Sequence, residues 1–385
     1  MKRFLVVALF AALVAVPVAA ALDGIEARTV LRVAVKLSGL TAREQVRIVV
    51  EPKPAFRQRR VTLFDRGYPR ARQNYDESVY RMLGLITGGK GTLRKALIEV
   101  ENGTGVYDPA SETAYVQAGK GERATALHEV VHALQDQHFG LDRVARLPAG
   151  SDARAAAAAA IEGHAGLVTN VIATKHASAI PNDNLNRFLE LERGFAYSVG
   201  LRFAYDLRNL GGRSALLGAL KRFPATSEQV FHLDKYLERE RAVPIVLPVD
   251  AGGMKLVGDG SFGELDVRAL LAVFDVPRLG HVGTGWGGGR TALYRGASGE
   301  AVVVALDWDT ARDAAEWEEA VGIYVNEAFD STVPGLPRTT ACAATTCWSL
   351  DGKSISFLRH ERRTVLVLGA GLEQVTMIAR SLLPG

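Results

Sequence analysis

Arg123-Ala124-Thr125-Ala126-Leu127-His128-Glu129-Val130-Val131-His132-Ala133-Leu134-Gln135-Asp136-Gln137-His138 is the stretch from which the rest of the chain can be read. It contains no Gly or Pro, and Ala124, Leu127, Val131 and Leu134 recur at helical spacing, which predicts a helix with one apolar stripe. Gly119 and Gly121 punctuate its start and Gly140 lies just past its end. His128 and His132 border the stripe four residues apart, so both imidazoles project from one helix face. Two such nitrogens can take adjacent corners of a zinc tetrahedron. Glu129 stands one step round the helix, where a carboxylate can take a proton from water that zinc has acidified. A bare His-Glu-x-x-His also arises by chance on solvated helices. Here the histidines sit where a buried face meets a cleft, which suits a metal site better than open solvent.

A catalytic zinc needs a third protein ligand and an open position. His138, six residues after His132, matches the metzincin spacing of histidines. That layout requires the helix to end at a glycine that can turn left-handed. Gln135 occupies the position, inside an uninterrupted run, and neither Met254 nor Met377 makes a clear Met-turn. The other candidate is Glu162, which follows the Ala155–Ala160 run in Ile161-Glu162-Gly163-His164-Ala165. Polyalanine is a strong helix former, and its small side chains let one helix pack closely on another. A solvent-facing glutamate on a surface helix is the plainer alternative, but the site needs a third donor and Glu162 is the preferred one. His164 would point to another side and reads as a neighbour supporting the ligands.

The run His128–Phe139, followed by Glu162-Gly163-x-Ala165, resembles a group of poorly characterised secreted bacterial metallopeptidases of the gluzincin type. The likeness extends to Gly105-Val106-Tyr107-Asp108-Pro109, to Thr226–His232 with Lys235-Tyr236, and to Gly285-Trp286-Gly287-Gly288. It implies zinc, peptide-bond hydrolysis and a zincin-like core, without defining a substrate. Two positions depart from it: His164 where a small acidic residue is commoner, and Gly289 where an aspartate is expected before Arg290. The second departure puts a role for the Trp286 loop in doubt. His232 is a candidate for stabilising the oxyanion of a tetrahedral intermediate, with Tyr236 four residues on. A capping or core histidine is the plainer alternative at that position, and Arg290 is a weaker candidate still.

Met1-Lys2-Arg3, an apolar run from Phe4 to Val18 and Ala19-Ala20-Ala21 have the parts of a secretory signal peptide, so residues 1–21 are expected to be removed on export. The protein is then expected to be secreted, periplasmic or in the cell envelope. No later stretch is apolar enough to span a membrane. In that compartment the only two cysteines, Cys342 and Cys347, are expected to form a disulfide. A net charge of +4 and a pI near 9.0 are mild. Arg57, Arg59, Arg60, Arg66, Arg70 and Arg72 cluster without an aromatic-interleaved nucleic-acid motif, which reads as a solvated face and not as a nucleic-acid site.

The expected fold class is α+β, with a helix-rich zincin-like core and a mixed C-terminal region. Residues 22–100 form an N-terminal α/β segment, 101–242 the zinc-binding core and 243–385 a C-terminal α+β domain. Strands are expected at Val46–Val50, Ala301–Leu306, Ser354–Leu358 and Thr364–Leu368. Helices are expected around 71–87, 91–98, Thr310–Phe329 and Glu373–Leu383, with a break at Gly211-Gly212. Val106-Tyr107 and Ala114–Val116 read as a hairpin whose edge can bind substrate backbone. The expected function is therefore a zinc-dependent peptidase acting on a peptide or protein. The alternatives are an amidase acting on cell-wall crosslinks and a noncatalytic envelope-binding protein that retains the scaffold.

Overall fold

The computed structural model describes residues 20–21, 24–100, 103–119, 121–170, 183–277, 279–329, 346–350 and 352–383. The chain is α+β. Its N-terminal part contains β1 (Ala20–Ala21), α1 (Gly24–Ser38), β2 (Arg47–Glu51), α2 (Lys53–Gly67), α3 (Arg70–Met82) and α4 (Thr92–Val100). The hairpin β3 (Gly105–Asp108) and β4 (Thr113–Gln117) follows, then α5 (Glu122–Phe139), the short α6 (Asp142–Ala145) and α7 (Asp152–Thr169). After α8 (Asn184–Gly194) a π-helical turn, Phe195–Val199, leads into α9 (Gly200–Lys221). The short helices α10 (Ser227–Phe231) and α11 (Leu233–Glu238) complete this half.

The small sheet runs β1-β2-β4-β3, with β2 parallel to β4 and the other pairs antiparallel. Among the described residues β3 has a partner on one side only, so its other side is a free edge there. One face of this sheet, through Ile48, Ala114 and Val116, packs on Ala126, Val130, Val131 and Leu134 of α5. Val30 and Ala34 of α1 close the same core. The buried face differs from the expected stripe: Ala124 is exposed and Leu127 half-buried, while Ala126, Val130 and Ala133 join Val131 and Leu134, because α5 is covered by the sheet and by α1 and α7.

The C-terminal half contains β5 (Asp250–Ala251), β6 (Met254–Ser261), α12 (Glu264–Val273), α13 (Leu279–Val282), β7 (Trp286–Gly296), β8 (Gly299–Trp308) and α14 (Ala311–Phe329). The chain ends with β9 (Thr346–Leu350), β10 (Lys353–His360), β11 (Arg363–Gly369) and α15 (Leu372–Ser381). These strands form one antiparallel sheet in the order β5-β6-β7-β8-β11-β10-β9. Strand alternation sends Val302, Val304 and Leu306 to one face and Ala301, Val303 and Ala305 to the other. The first face meets α3, α4, α8, α12 and α14; the second is covered by α15 and by Ile245. Burial on both faces explains why β8 reads as a continuous apolar run.

The expected boundary at residue 100 does not separate a unit. The 22–100 segment supplies β2 to the small sheet, while its α3 and α4 pack on the large one. Tyr75 Oη lies 2.7 Å from Thr291 Oγ1, and Tyr324 donates to the Leu83 carbonyl at 2.8 Å. Residues 1–19 of the expected signal peptide lie outside the described residues, as does Cys342; Cys347 is disulfide-bonded. Among the described residues, no helix is long and apolar enough to cross a membrane.

Candidate metal centre

Helix α5 starts after Gly121 (φ 84°) and stops at Gly140 (φ 65°), whose N–H caps the Asp136 carbonyl. It runs through Gln135 without a break, so His138 points away and contacts the Thr41 carbonyl at 2.8 Å. His128, Glu129 and His132 are all buried, at 9, 6 and 6 % exposure. Helix α7 crosses α5 and presents Glu162 to them. Its Oε2 lies 3.1 Å from His128 Nε2 and 3.5 Å from His132 Nε2. One ligand atom from each of the three residues falls within 4.8 Å of the others.

That geometry matches the group implied by the sequence. Bonds of about 2.0–2.1 Å at tetrahedral angles place zinc ligands about 3.3 Å apart, and two imidazoles with one carboxylate are a zinc donor set. The charges are mutually dependent. Burial would raise the Glu162 carboxyl, but the two histidines hold it well below the usual carboxylate range. Burial would lower His132, yet the charge and hydrogen bond of Glu162 outweigh it and push the imidazole up to about 9. A shared anion thus draws the two rings together.

Glu129 lies beside this triad and against the free edge of the small sheet. Burial raises its pKa; His132 and His128 lower it, Glu162 raises it, and a hydrogen bond from the Tyr107 backbone lowers it. Thr104, just before β3, accepts from Gln117, so alternation turns the backbone of Gly105 and Tyr107 to the open edge. The approach is close: a Cβ built on Gly105 would meet Glu129 Oε1 at 2.4 Å. Glycine at 105 is what lets the edge strand lie on the carboxylate.

Close packing also fixes Glu162. A Cβ on Gly163 would lie 2.0 Å from the Gly200 carbonyl oxygen, and one on Gly200 would lie 2.3 Å from that of Ala159. The glycine after Glu162 therefore lets α7 and α9 touch backbone to backbone. The π-helical turn precedes this contact.

Other sequence candidates are placed elsewhere. The Nε2 of His232 lies 3.1 Å from Glu264 Oε1, a carboxylate that Arg268 also binds. Among the described residues no contact joins His232 to the triad. Tyr236 donates to the Arg222 carbonyl, and Arg290 pairs with Asp259. Lys235 binds Glu228, Glu240 and Asp309 at 2.5, 3.1 and 2.7 Å. It thereby brackets the 226–240 segment to the end of β8, and its ammonium sits among the three carboxylates. The arginine cluster is largely engaged: Arg59 binds Glu51 and stacks on Tyr115, Arg66 binds Asp108 and Arg72 binds Asp76. These arginines brace strands and helices more than they form a solvated face.

Two residues near the triad carry more than the sequence suggested. Gln135 and His164 are both fully buried and contact each other, and Gln135 also contacts His132. A polar side chain inside the apolar run of α5 was the available signal for Gln135.

Comparison with known proteins reaches only the other half of the molecule. A family described as Domain of unknown function (DUF8575) matches residues 254–379, from β6 into α15. That span contains neither α5 nor α7. No curated protein matches the chain, and no solved structure does.

Proposed function

We propose that this chain is an exported zinc-dependent peptidase with a gluzincin-type, zincin-like centre. His128, His132 and Glu162 hold the metal, and Glu129 serves as general base and then as general acid. The observation that carries the reading is the convergence of these three donors from two helices, with Glu129 buried alongside. Zinc, when bound, acidifies water and polarises a carbonyl. Glu129 accepts a proton as the carbonyl is attacked and returns it to the leaving amine. The open edge of β3 adjoins Glu129, so an extended peptide added there as a further strand would bring its backbone to the carboxylate. This supports a peptide over other amides. The buried Glu129, held by the Tyr107 N–H, supports a catalytic role over a binding scaffold, which has no use for a base there.

The test compares wild type with Glu129→Gln for zinc content and for hydrolysis of a peptide library. Equal zinc and a loss of about 10²–10⁴ in rate is the expected result. Undiminished hydrolysis in the variant would overturn the assignment.

A further inference from the structure

The two histidines of the triad are held differently. Among the described residues His128 Nδ1 is buried with no hydrogen-bond partner, whereas His132 Nδ1 lies 2.8 Å from Gln135 Oε1. From Gln135, Nε2 reaches the Ile161 carbonyl at 3.0 Å and His164 Nδ1 at 2.8 Å. A backbone carbonyl can only accept. The atom facing Ile161 must therefore be the amide nitrogen, which leaves the amide oxygen facing His132. A flipped amide would set two carbonyl oxygens against each other in a fully buried place. It follows that His132 carries a proton on Nδ1, which leaves Nε2, the nitrogen facing Glu162, as the one that can turn to a metal. By the same logic His164 accepts at Nδ1 and bears its proton on Nε2.

We infer that Gln135 is the positioning residue of this centre: it fixes the tautomer and orientation of His132 and, through Ile161, ties the helix of both histidines to the residue preceding Glu162. The inference rests on the zinc reading above. It also gives His164 a use, since its Nδ1 takes the second amide hydrogen while its own Nε2 is buried without a partner. One amide thus governs all three metal ligands' relative placement without touching the metal. Groups that orient metal-binding imidazoles in this way are worth about 10–100-fold in metal affinity.

The experiment uses the full chain, with zinc affinity measured by competition and histidine ring protons followed by nitrogen-15 NMR. In wild type, His132 should be protonated at Nδ1 and His164 at Nε2 only, and both states can be read before zinc is added. Gln135→Met, similar in length but without donor or acceptor, should weaken zinc binding about 10–100-fold. It should also expose the His132 Nδ1 proton to exchange, while zinc-loaded His128 is unchanged. If that variant does not fold, the wild-type ring protonation decides: His164 protonated at Nδ1, or His132 bare there, overturns the inference. So does a folded Gln135→Met that binds zinc within twofold of wild type. A wild type that takes up no zinc overturns the functional reading and this one with it; zinc uptake with the wrong ring protonation overturns this one alone.

Discussion

Replacing Gly163 by alanine adds one methyl group at the place where α7 and α9 meet backbone to backbone. The new Cβ would stand 2.0 Å from the Gly200 oxygen and 2.4 Å from its carbon. Ordinary contact begins near 3.4 Å, so the helices must separate by about 1.4 Å or α7 must bend. The obstacle is main chain, which cannot rotate aside as a flexible side chain would. Alanine returns about 1 kcal/mol of helix propensity, while overpacking costs about 1–3 kcal/mol, so a net loss of up to about 2 kcal/mol is expected. Function should suffer more than stability. Glu162 is the neighbouring residue, and metal sites tolerate ligand displacements of only about 0.2 Å. Urea unfolding and zinc competition read the two effects separately. The control is Gly218→Ala on the same α9, where an added Cβ meets nothing within 4 Å. That variant should gain up to about 1 kcal/mol and bind zinc normally. If Gly163→Ala matched the control in both stability and zinc affinity, the close helix contact would not be what places Glu162.

Two further outcomes follow from neighbouring parts of the molecule. Gly105→Ala should drive its methyl into the Glu129 carboxylate, lowering peptide hydrolysis about 10²-fold while zinc content stays unchanged; full activity would show that β3 does not press on the base. Asp152 is buried, and burial, opposed by Ser227 and reinforced by Glu264, pushes its carboxyl up to about 6. Its folded pKa is thus raised above about 3.9, so its contribution to stability is fully present below that pH and is lost as pH rises through about 6. The loss is up to about 3 kcal/mol. Asp152→Asn should remove it, gaining on wild type between pH 4 and pH 7 in urea unfolding; an equal difference at both pH values would contradict the assignment.

Much of the centre was legible because its information is local. The His128–His132 spacing, the break-free helix and the terminal glycines are short-range features, and α5 forms where they indicate. Gln135 in place of a glycine excluded the early helix end that His138 would need, and the alanine run before Glu162 marked a helix able to pack closely. What Gln135 does was not legible, since its partners Ile161 and His164 lie 26 and 29 residues away. The contact that holds His232 was not legible for a similar reason, as its partner Glu264 lies 32 residues on.

The large sheet was read only in part. Ala301–Leu306, Ser354–Leu358 and Thr364–Leu368 fall within strands of it, but β6 and β7 were missed. Their glycines imitate a loop. In the folded chain those glycines permit close approach: a Cβ on Gly288 would sit 2.4 Å from the Val243 carbonyl oxygen, and one on Gly289 would sit 2.1 Å from that of Phe262. The two expected C-terminal units are one sheet because β8 pairs with β11 as well as with β7.

The most direct test of the central claim is anomalous diffraction at the zinc edge from crystals of the full chain grown with zinc. One strong peak should lie about 2.0–2.2 Å from His128 Nε2, His132 Nε2 and a Glu162 carboxylate oxygen, and Glu162→Ala should abolish it. A crystal with no peak between these residues, or a peak that persists in Glu162→Ala with His138 as its ligand, would contradict the account.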